Sequence, residues 1–513
     1  MILHYVIWRR RKWKRNAADE WLRNVVAKTN IARCRISILT GRSPARARLP
    51  ADLRRIPGVD GCCCASLTNG SEENDRKRGM IVLRGRVLVI GDSIRLVSKA
   101  KSADVDVVYM QKPSQFDPTL IPHCQQLALV DYQHVPSAAA MAAALHRIAP
   151  ITRIVTQTEA AQLVAGHLTD ALEIPGTSER CARLLHDKSA MRALLNEQGI
   201  GAVPYAVNPT QAQLREFVVS HGAAIVKPTK GSGSLGVRRI ESVEDIDEIW
   251  AWCQSFELGE FQVEKLLVGP ELSVESFSES GRHTIIAVTA KDTEGGTVEL
   301  GHVIPAPLAE DQLDQIRELT VRLLDAVGLE DGPSHTEIIL TAEGPRVVES
   351  HTRRGGDRIN DLVRMVYGVD MEEATYRLVG HGAPLDGHLH PARGAAAIRF
   401  LTAAPGVVTS VTGLDAARAV DGVVEVSVSV EPGSVVPELR WSDDRCGHVI
   451  VRAGDADTAV RLARTVARHI SINTEPVTDD CPGPDAAAPD TLSSILRPYD
   501  EVFDPFHGAV AAP

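Results

Sequence analysis

The sequence predicts a mixed α/β and α+β protein of several domains: a parallel α/β unit, an antiparallel strand clamp around a Gly/Ser loop, and a strand-rich C-terminal unit. Three observations predict it. From Arg84 onward, apolar strand-like runs alternate with helical ones, the pattern of a doubly wound parallel sheet. After residue 223, two strands bracket a Gly/Ser loop and further strands follow. After residue 391, strands dominate again. At 513 residues the chain exceeds one ordinary core, so roughly two to four domains are expected.

Residues 1–79 read as a basic extension without a fold of its own. They hold roughly 18 Lys and Arg against roughly 7 Asp and Glu, with Arg runs and the adjacent Cys62, Cys63 and Cys64. Met80 opens a sensible domain. The first residues place charge after a short apolar patch, the reverse of a secretory signal, and no apolar run approaches the roughly 20 residues of a membrane helix. A cytoplasmic protein without membrane or nucleic-acid partners is therefore expected, and a homodimer stays open. The formal net charge of -10 and the acidic remainder argue against a large nucleic-acid surface. Nine Cys show no paired C-x-x-C spacing, which reads as reduced thiols.

In chain order, residues 80–178 carry VLVIGDS, VDVVYM, LALVDY and TRIVTQ as strands, with helices over 137–149 and 159–172 between them. No G-x-G-x-x-G accompanies them, so a dinucleotide site is weakly supported. Residues 179–390 open with one long amphipathic helical run over 179–199. AAIVKP (223–228) and VRRI (237–240) then flank the loop TKGSGSLGV, a helix over 241–254 is capped by Ser242, and strands fill 260–291. Residues 391–474 are strand-rich and close with a helix capped by Asp455 or Asp457. The Pro/Ala/Asp-rich stretch 475–513 reads as loose.

Several residues point to phosphate chemistry. Lys227 ends an apolar strand, where an ammonium can neutralise phosphate oxygens; a solvated surface lysine is the alternative. Gly231, Ser232, Gly233, Ser234 and Gly236 form a loop whose backbone N–H groups can approach phosphates, although no G-K-[ST] follows as in a Walker loop. Lys188 lies upstream in H-D-K-S-A-M-R. Around Glu264 and Glu271, the backbone of 265–267 can meet an adenine edge and Glu271 a ribose. Glu337 and Glu349 interrupt two apolar strands joined by the TAEGP turn. A buried unpaired carboxylate costs several kcal/mol, so two together call for a cation, and hard oxygen ligands favour Mg²⁺. Arg353 follows Glu349 by four residues and can steady a transferring phosphoryl group, or pair with either carboxylate.

The ordered set Lys188, Lys227, the Gly/Ser loop, Glu264–Glu271, Glu337 and E-S-H-T-R resembles the ATP-grasp superfamily over about residues 180–380. Within it, H-T-E at 335–337 and E-L-G-H at 299–302 are similar to bacilysin-type L-amino-acid ligases, in the branch that contains biotin carboxylase. The resemblance implies an ATP-grasp fold with a preceding parallel α/β domain and a C-terminal strand-rich domain. It implies Lys188 and Lys227 on the nucleotide phosphates, the 231–236 loop over them, Glu264 and Leu267 at adenine, and Glu271 at ribose. It also implies Glu337 and Glu349 bridging two Mg²⁺ (or Mn²⁺), Arg353 on an acyl-phosphate, and Glu299 and His302 in the amino-acid pocket.

Two positions depart from the pattern. His351 stands where many ATP-grasp enzymes have Asn. Asp357 stands where the bacilysin-type enzyme carries a bulky aromatic, which implies a roomier pocket for a cationic group. The expected activity is ATP-dependent joining of a small-molecule carboxylate to an amine through an acyl-phosphate, with ATP and Mg²⁺ as cofactors. A biotin-carboxylase-like enzyme and an inactive nucleotide-binding module are the alternatives.

Overall fold

The computed structural model describes strands Leu3–Trp8 and Cys34–Leu39 and then residues 85–476, apart from 93, 232–235, 256–257, 295, 297, 381–384 and 386–390. The chain divides into two units, residues 1–175 with 376–382, and residues 176–375 with 383–513.

The first unit is built on a six-stranded sheet in the order β2-β1-β5-β4-β3-β6, parallel throughout. Its strands are β1 (Leu3–Trp8), β2 (Cys34–Leu39), β3 (Arg86–Ile90), β4 (Asp106–Gln111), β5 (Gln126–Leu129) and β6 (Arg153–Val155). Burial on both faces explains the continuous apolar runs: Val87 to Ile90 and Val107 to Met110 are all buried. Helices Val135–Ile148 and Gln162–Ala171 fall where alternation predicted them. Tyr376, from the returning segment 376–382, completes this core. β1 and β2 correct the expectation for 1–79. LHYVIW and CRISIL are rich in β-branched and aromatic residues and join the sheet beside β5, a preference masked by the flanking Arg runs. The rest of 1–79, and 477–513, lie outside the described residues.

The second unit contains three antiparallel sheets. A four-stranded one runs β7 (Tyr205–Val207), β10 (Phe261–Lys265), β8 (Ala224–Pro228), β9 (Arg238–Ile240). Helices Gln211–His221 and Ile246–Ser255 cover one of its faces through Leu214, Phe217, Ile246 and Ile249. An eight-stranded sheet runs β15 (Gly344–His351), β14 (Gly332–Thr341), β11 (Glu271–Glu279), β12 (Arg282–Asp292), β13 (Gly301–Ile304), β16 (Ala395–Leu401), β20 (Gly447–Ala453), β18 (Val423–Val428). The third is β19 (Val435–Val436), β17 (Gly406–Thr412), β21 (Ser471–Glu475).

Two features differ from the sequence reading. The helical run 179–199 is two helices, Glu179–His186 and Lys188–Glu197, because the Asp187 carboxylate accepts the backbone N–H groups of Ser189 (2.9 Å) and Ala190 (3.1 Å). Residues 391–474 are not a detached unit: β16 pairs with β13 through four register partners and carries β20 and β18 into the same sheet. Helix Ala456–Arg468 packs Ala459, Ala463 and Val466 on that extension, and Asp455, not Asp457, caps it by accepting Thr458 N at 2.8 Å.

Period-2 alternation makes the eight-stranded sheet two-faced. Leu272, Val274, Ile338 and Val347 pack beneath helix Glu310–Val327. Ser273, Glu275, His335 and Glu337 occupy the opposite face. Glu349 would follow Val347 into the apolar core if β15 were regular. A bulge prevents it: Glu337 pairs with Glu349, Ile338 with Val347, and the extra residue, Val348, shifts the register by one.

Candidate active site

A cleft of about 990 Å³, open mouth included, is lined by Lys188, Lys227, Glu264, Leu267, Glu271, Glu337 and Glu349, with Gly231 at its edge. Nucleotide-class residues predicted from the sequence thus converge. Ser232, Gly233 and Ser234 lie outside the described residues. Gly231 (φ +107°) and Gly236 (φ +73°) frame them in conformations that favour glycine.

One wall carries the cations expected at phosphates. The break at Asp187 puts Lys188 at the first position of its helix; its N–H donates to Thr229 O (2.9 Å) and its ammonium to Gly231 O (2.5 Å) and to Glu349 (2.9 Å). Lys227 Nζ meets Glu264 Oε2 at 2.9 Å, and Arg192 Nε meets Glu264 Oε1 at 2.8 Å. Arg192 is fully buried and also donates to Val347 O, at the edge of the bulge. Burial would push the Glu264 carboxyl up, but Lys227 and Arg192 overcome it and hold the group below its usual range. The Glu264 oxygens accept from Lys227, Arg192 and Gln262, and Glu264 lines the cleft together with Lys265, Leu266 and Leu267.

The opposite wall is anionic. Lys291, at the end of β12, has a side chain 2% exposed that touches Glu337 (2.6 Å), Glu271 (3.2 Å) and Glu299 (3.2 Å). Burial alone would lower its ammonium; the three carboxylates outweigh it and raise it well above the ordinary range. Against its own burial, Glu337 is drawn down to about 2, chiefly by Lys291, and Glu349 is held well below its usual value by Lys188 and His351. Glu271 moves the other way, raised by burial and by its neighbours Glu337 and Glu299. One ammonium facing three carboxylates leaves this wall short of positive charge. Glu337 and Glu349, both ionised hard-oxygen donors on paired positions, fit a divalent cation shared with phosphates. Among the described residues no group of three or more His, Cys, Asp or Glu is arranged to hold a metal by itself.

Each of these two carboxylates has a histidine two residues away on its own strand. His335 Nε2 lies 3.3 Å from Glu337, and His351 Nε2 lies 3.2 Å from Glu349; the rings stack at 6.3 Å. His335 Nδ1 meets the fully buried Glu275 at 3.0 Å, and despite burial His335 is raised to about 9, chiefly by Glu275.

The residues expected at the amino-acid pocket follow Lys291 in the charge network. Glu299 joins the charge cluster through Lys291 and accepts from Ser442 Oγ at 3.4 Å. His302 is buried and its Nε2 meets Asp357 at 3.0 Å. Arg445 clamps Asp357 with two bonds (2.6 and 2.8 Å), donates to Glu299 O (3.2 Å), and lies 3.6 Å over the Phe400 ring. Against its own burial, Asp357, with φ +49°, is held well below the usual carboxylate range by its bonds to His302 and Arg445. Arg353 lies just past β15 and donates to Arg354 O at 3.1 Å; it is not among the residues lining the cleft.

The sequence reading missed Arg192, Lys291, Glu275, His335 and Arg445. Lys291 had a usable signal, a lone Lys closing an apolar strand in VTAK, as Lys227 does in IVKP. Arg192 sits one helical turn beyond Lys188 on the same face. The others depend on strand pairing that no local pattern encodes.

Residues 221–361 match the family described as ATP-grasp domain, and residues 399–475 match L-amino acid ligase C-terminal domain 2. A D-alanine–D-alanine ligase of Streptomyces griseus is 30% identical over 243 residues, 42% of this chain and 62% of that protein. An L-arginine-specific L-amino acid ligase of Bacillus subtilis is 23% identical over 317 residues, 58% of this chain and 74% of that protein. The crystal structure of an L-amino acid ligase from Bacillus licheniformis superposes with a TM-score of 0.65 at 17% identity, covering 76% of this chain and 99% of that one, a likeness of fold.

Proposed function

From the premise that this chain carries an ATP-grasp domain joined to an L-amino acid ligase C-terminal domain, we propose that it is an ATP-dependent carboxylate–amine ligase with an amino acid among its substrates. The observation that carries the reading is the cross-strand pair Glu337 and Glu349, each held ionised by its own lysine, facing Lys227 across one cleft.

A substrate carboxylate oxygen attacks the γ-phosphorus of ATP. The bond to the β,γ-bridging oxygen breaks, ADP leaves, and an acyl-phosphate remains. An amine then attacks the acyl carbon, phosphate departs, and the amine loses a proton as the amide forms. Lys188 and Lys227 neutralise phosphate oxygens, Leu267 and the 265–267 backbone hold the base, and Glu271 takes the ribose. Glu337 and Glu349 would hold two Mg²⁺ ions, with Mn²⁺ as substitute, and the ions would supply charge neutralisation at the transferring phosphoryl group. Lys291 balances the carboxylate-rich wall, and Arg353 steadies the acyl-phosphate. Glu299 and His302 bound the amino-acid pocket, with Arg445 fixing its outer side. Catalysis rests on positioning and electrostatics, since phosphoryl transfer asks little covalent chemistry of the protein.

Use of ATP fits a cytoplasmic enzyme; no helix among the described residues is long and apolar enough to cross a membrane. The test is phosphate release by the purified full chain with ATP, Mg²⁺ and pairs of amino acids, with the amide product identified by mass. Phosphate release that depends on both substrates supports the reading. ATP binding without it would return the chain to the class of inactive nucleotide-binding modules.

A further inference from the structure

We infer that His335, oriented by Glu275, is a positioning residue that fixes both the metal-facing carboxylate Glu337 and the loop carrying Arg353; the inference rests on Glu337 being a metal carboxylate as proposed above. Three independent observations carry it.

The first is bonding. His335 places Nδ1 3.0 and 3.1 Å from the two oxygens of Glu275 and Nε2 3.3 Å from Glu337 Oε1. With a carboxylate within bonding distance of each nitrogen, the ring is held at both ends. Anchored at one end by Glu275, the ring and Lys291 (2.6 Å) together commit Oε1 of Glu337, which leaves the other oxygen for a metal.

The second is the position of Glu275. Its side chain is fully buried, does not line the cleft, and touches no cation except His335 within bonding distance among the described residues. Ser273 Oγ (2.7 Å) and Thr289 Oγ1 (3.4 Å) donate to its Oε1 and lock it. A carboxylate kept at such a depth, one layer behind a metal carboxylate, is the arrangement by which outer residues orient metal ligands.

The third is Gly355. A Cβ there would approach His335 Nδ1 to 2.9 Å and Glu275 Oε2 to 3.0 Å. The backbone two residues past Arg353 therefore rests directly on the His335–Glu275 pair. One buried pair supports the metal side of the site and the arginine side together.

The experiment measures Mn²⁺ binding to the full chain by electron paramagnetic resonance, with and without ADP, for wild type, His335→Phe, His335→Gln and Glu275→Gln. The expected result is that His335→Phe weakens ADP-dependent Mn²⁺ binding about 10- to 100-fold while metal-free ADP binding stays unchanged. His335→Gln keeps a donor toward Glu337 and recovers most of the loss; Glu275→Gln falls between. Should His335→Phe not fold, Glu275→Gln alone decides, with a loss of at least about threefold required. Mn²⁺ binding equal to wild type in the folded variants overturns this inference alone. Wild-type protein whose Mn²⁺ binding ignores ADP overturns it together with the proposed function.

Discussion

Replacing Arg192 with methionine tests the buried charge network that joins the two walls of the cleft. Methionine keeps most of the side-chain volume and removes the guanidinium. Breaking a buried ion pair by deleting one partner costs about 3–5 kcal/mol when the other charge is stranded. Glu264 is not stranded, because Lys227 at 2.9 Å and Gln262 at 2.9 Å remain, so the cost falls toward the low end. The Val347 carbonyl loses its donor, a penalty of about 1–3 kcal/mol for an orphaned acceptor. Arg192 Nη1 is itself buried without a partner, and its removal relieves about 1 kcal/mol of that kind. The balance is a loss of about 3–5 kcal/mol, read as a lowered urea midpoint of the full chain. Because Val347 borders the bulge that turns Glu349 toward the cleft, the folded fraction should also lose turnover more than ATP affinity. A midpoint within about 0.5 kcal/mol of wild type, the scatter of surface substitutions, would falsify the assignment of this network as a structural tie.

Other perturbations separate the remaining contacts. Glu349→Gln should lower phosphate release by at least about 100-fold, the scale for deleting a preorganised electrostatic group, without lowering the urea midpoint to match; unchanged release would remove the metal assignment. Arg445→Ala leaves Asp357 with His302 alone and should raise KM for the amino acid about 10- to 100-fold, the worth of a hydrogen bond to a charged group, while KM for ATP holds; equal changes in both would mean a general loss of structure. Stability should also fall with alkaline pH. The folded value of His335, about 9, lies above its unfolded value near 6.5, so its contribution is complete below about 6.5 and is lost as pH rises through about 9. Urea midpoints measured across that window should decline in wild type and flatten in His335→Gln.

Legibility in the sequence followed the range of the forces involved. Lys227 ending an apolar strand and two Glu interrupting a hairpin are local contradictions of burial, and both proved to face the cleft. The alternation after Arg84 is equally local and yields the parallel sheet. The break at Asp187 was hidden because the amphipathic period runs unbroken through it; a cap wins there by two backbone hydrogen bonds. The bulge at Val348 has no local signature, since it exists only relative to β14. Lys291 meets Glu271, Glu299 and Glu337 from three other segments of chain, so its environment is a product of long-range pairing. Glu264 is similar: its two cations, Arg192 and Lys227, come from a helix and a strand at other places in the sequence.

Shared hydrogen bonding between β13 and β16 makes the two family segments mechanically inseparable. A recombinant fragment stopping near residue 390 would leave β13 with a bare row of peptide groups, inviting self-association before any nucleotide could be offered to it. It would also discard Arg445, and with it the outer brace of Asp357. Chimeras that exchange the C-terminal portion between ligases would thus have to carry the β13–β16 register and the Arg445 partner across the junction, and substrate choice in such hybrids would follow the graft as much as the catalytic host.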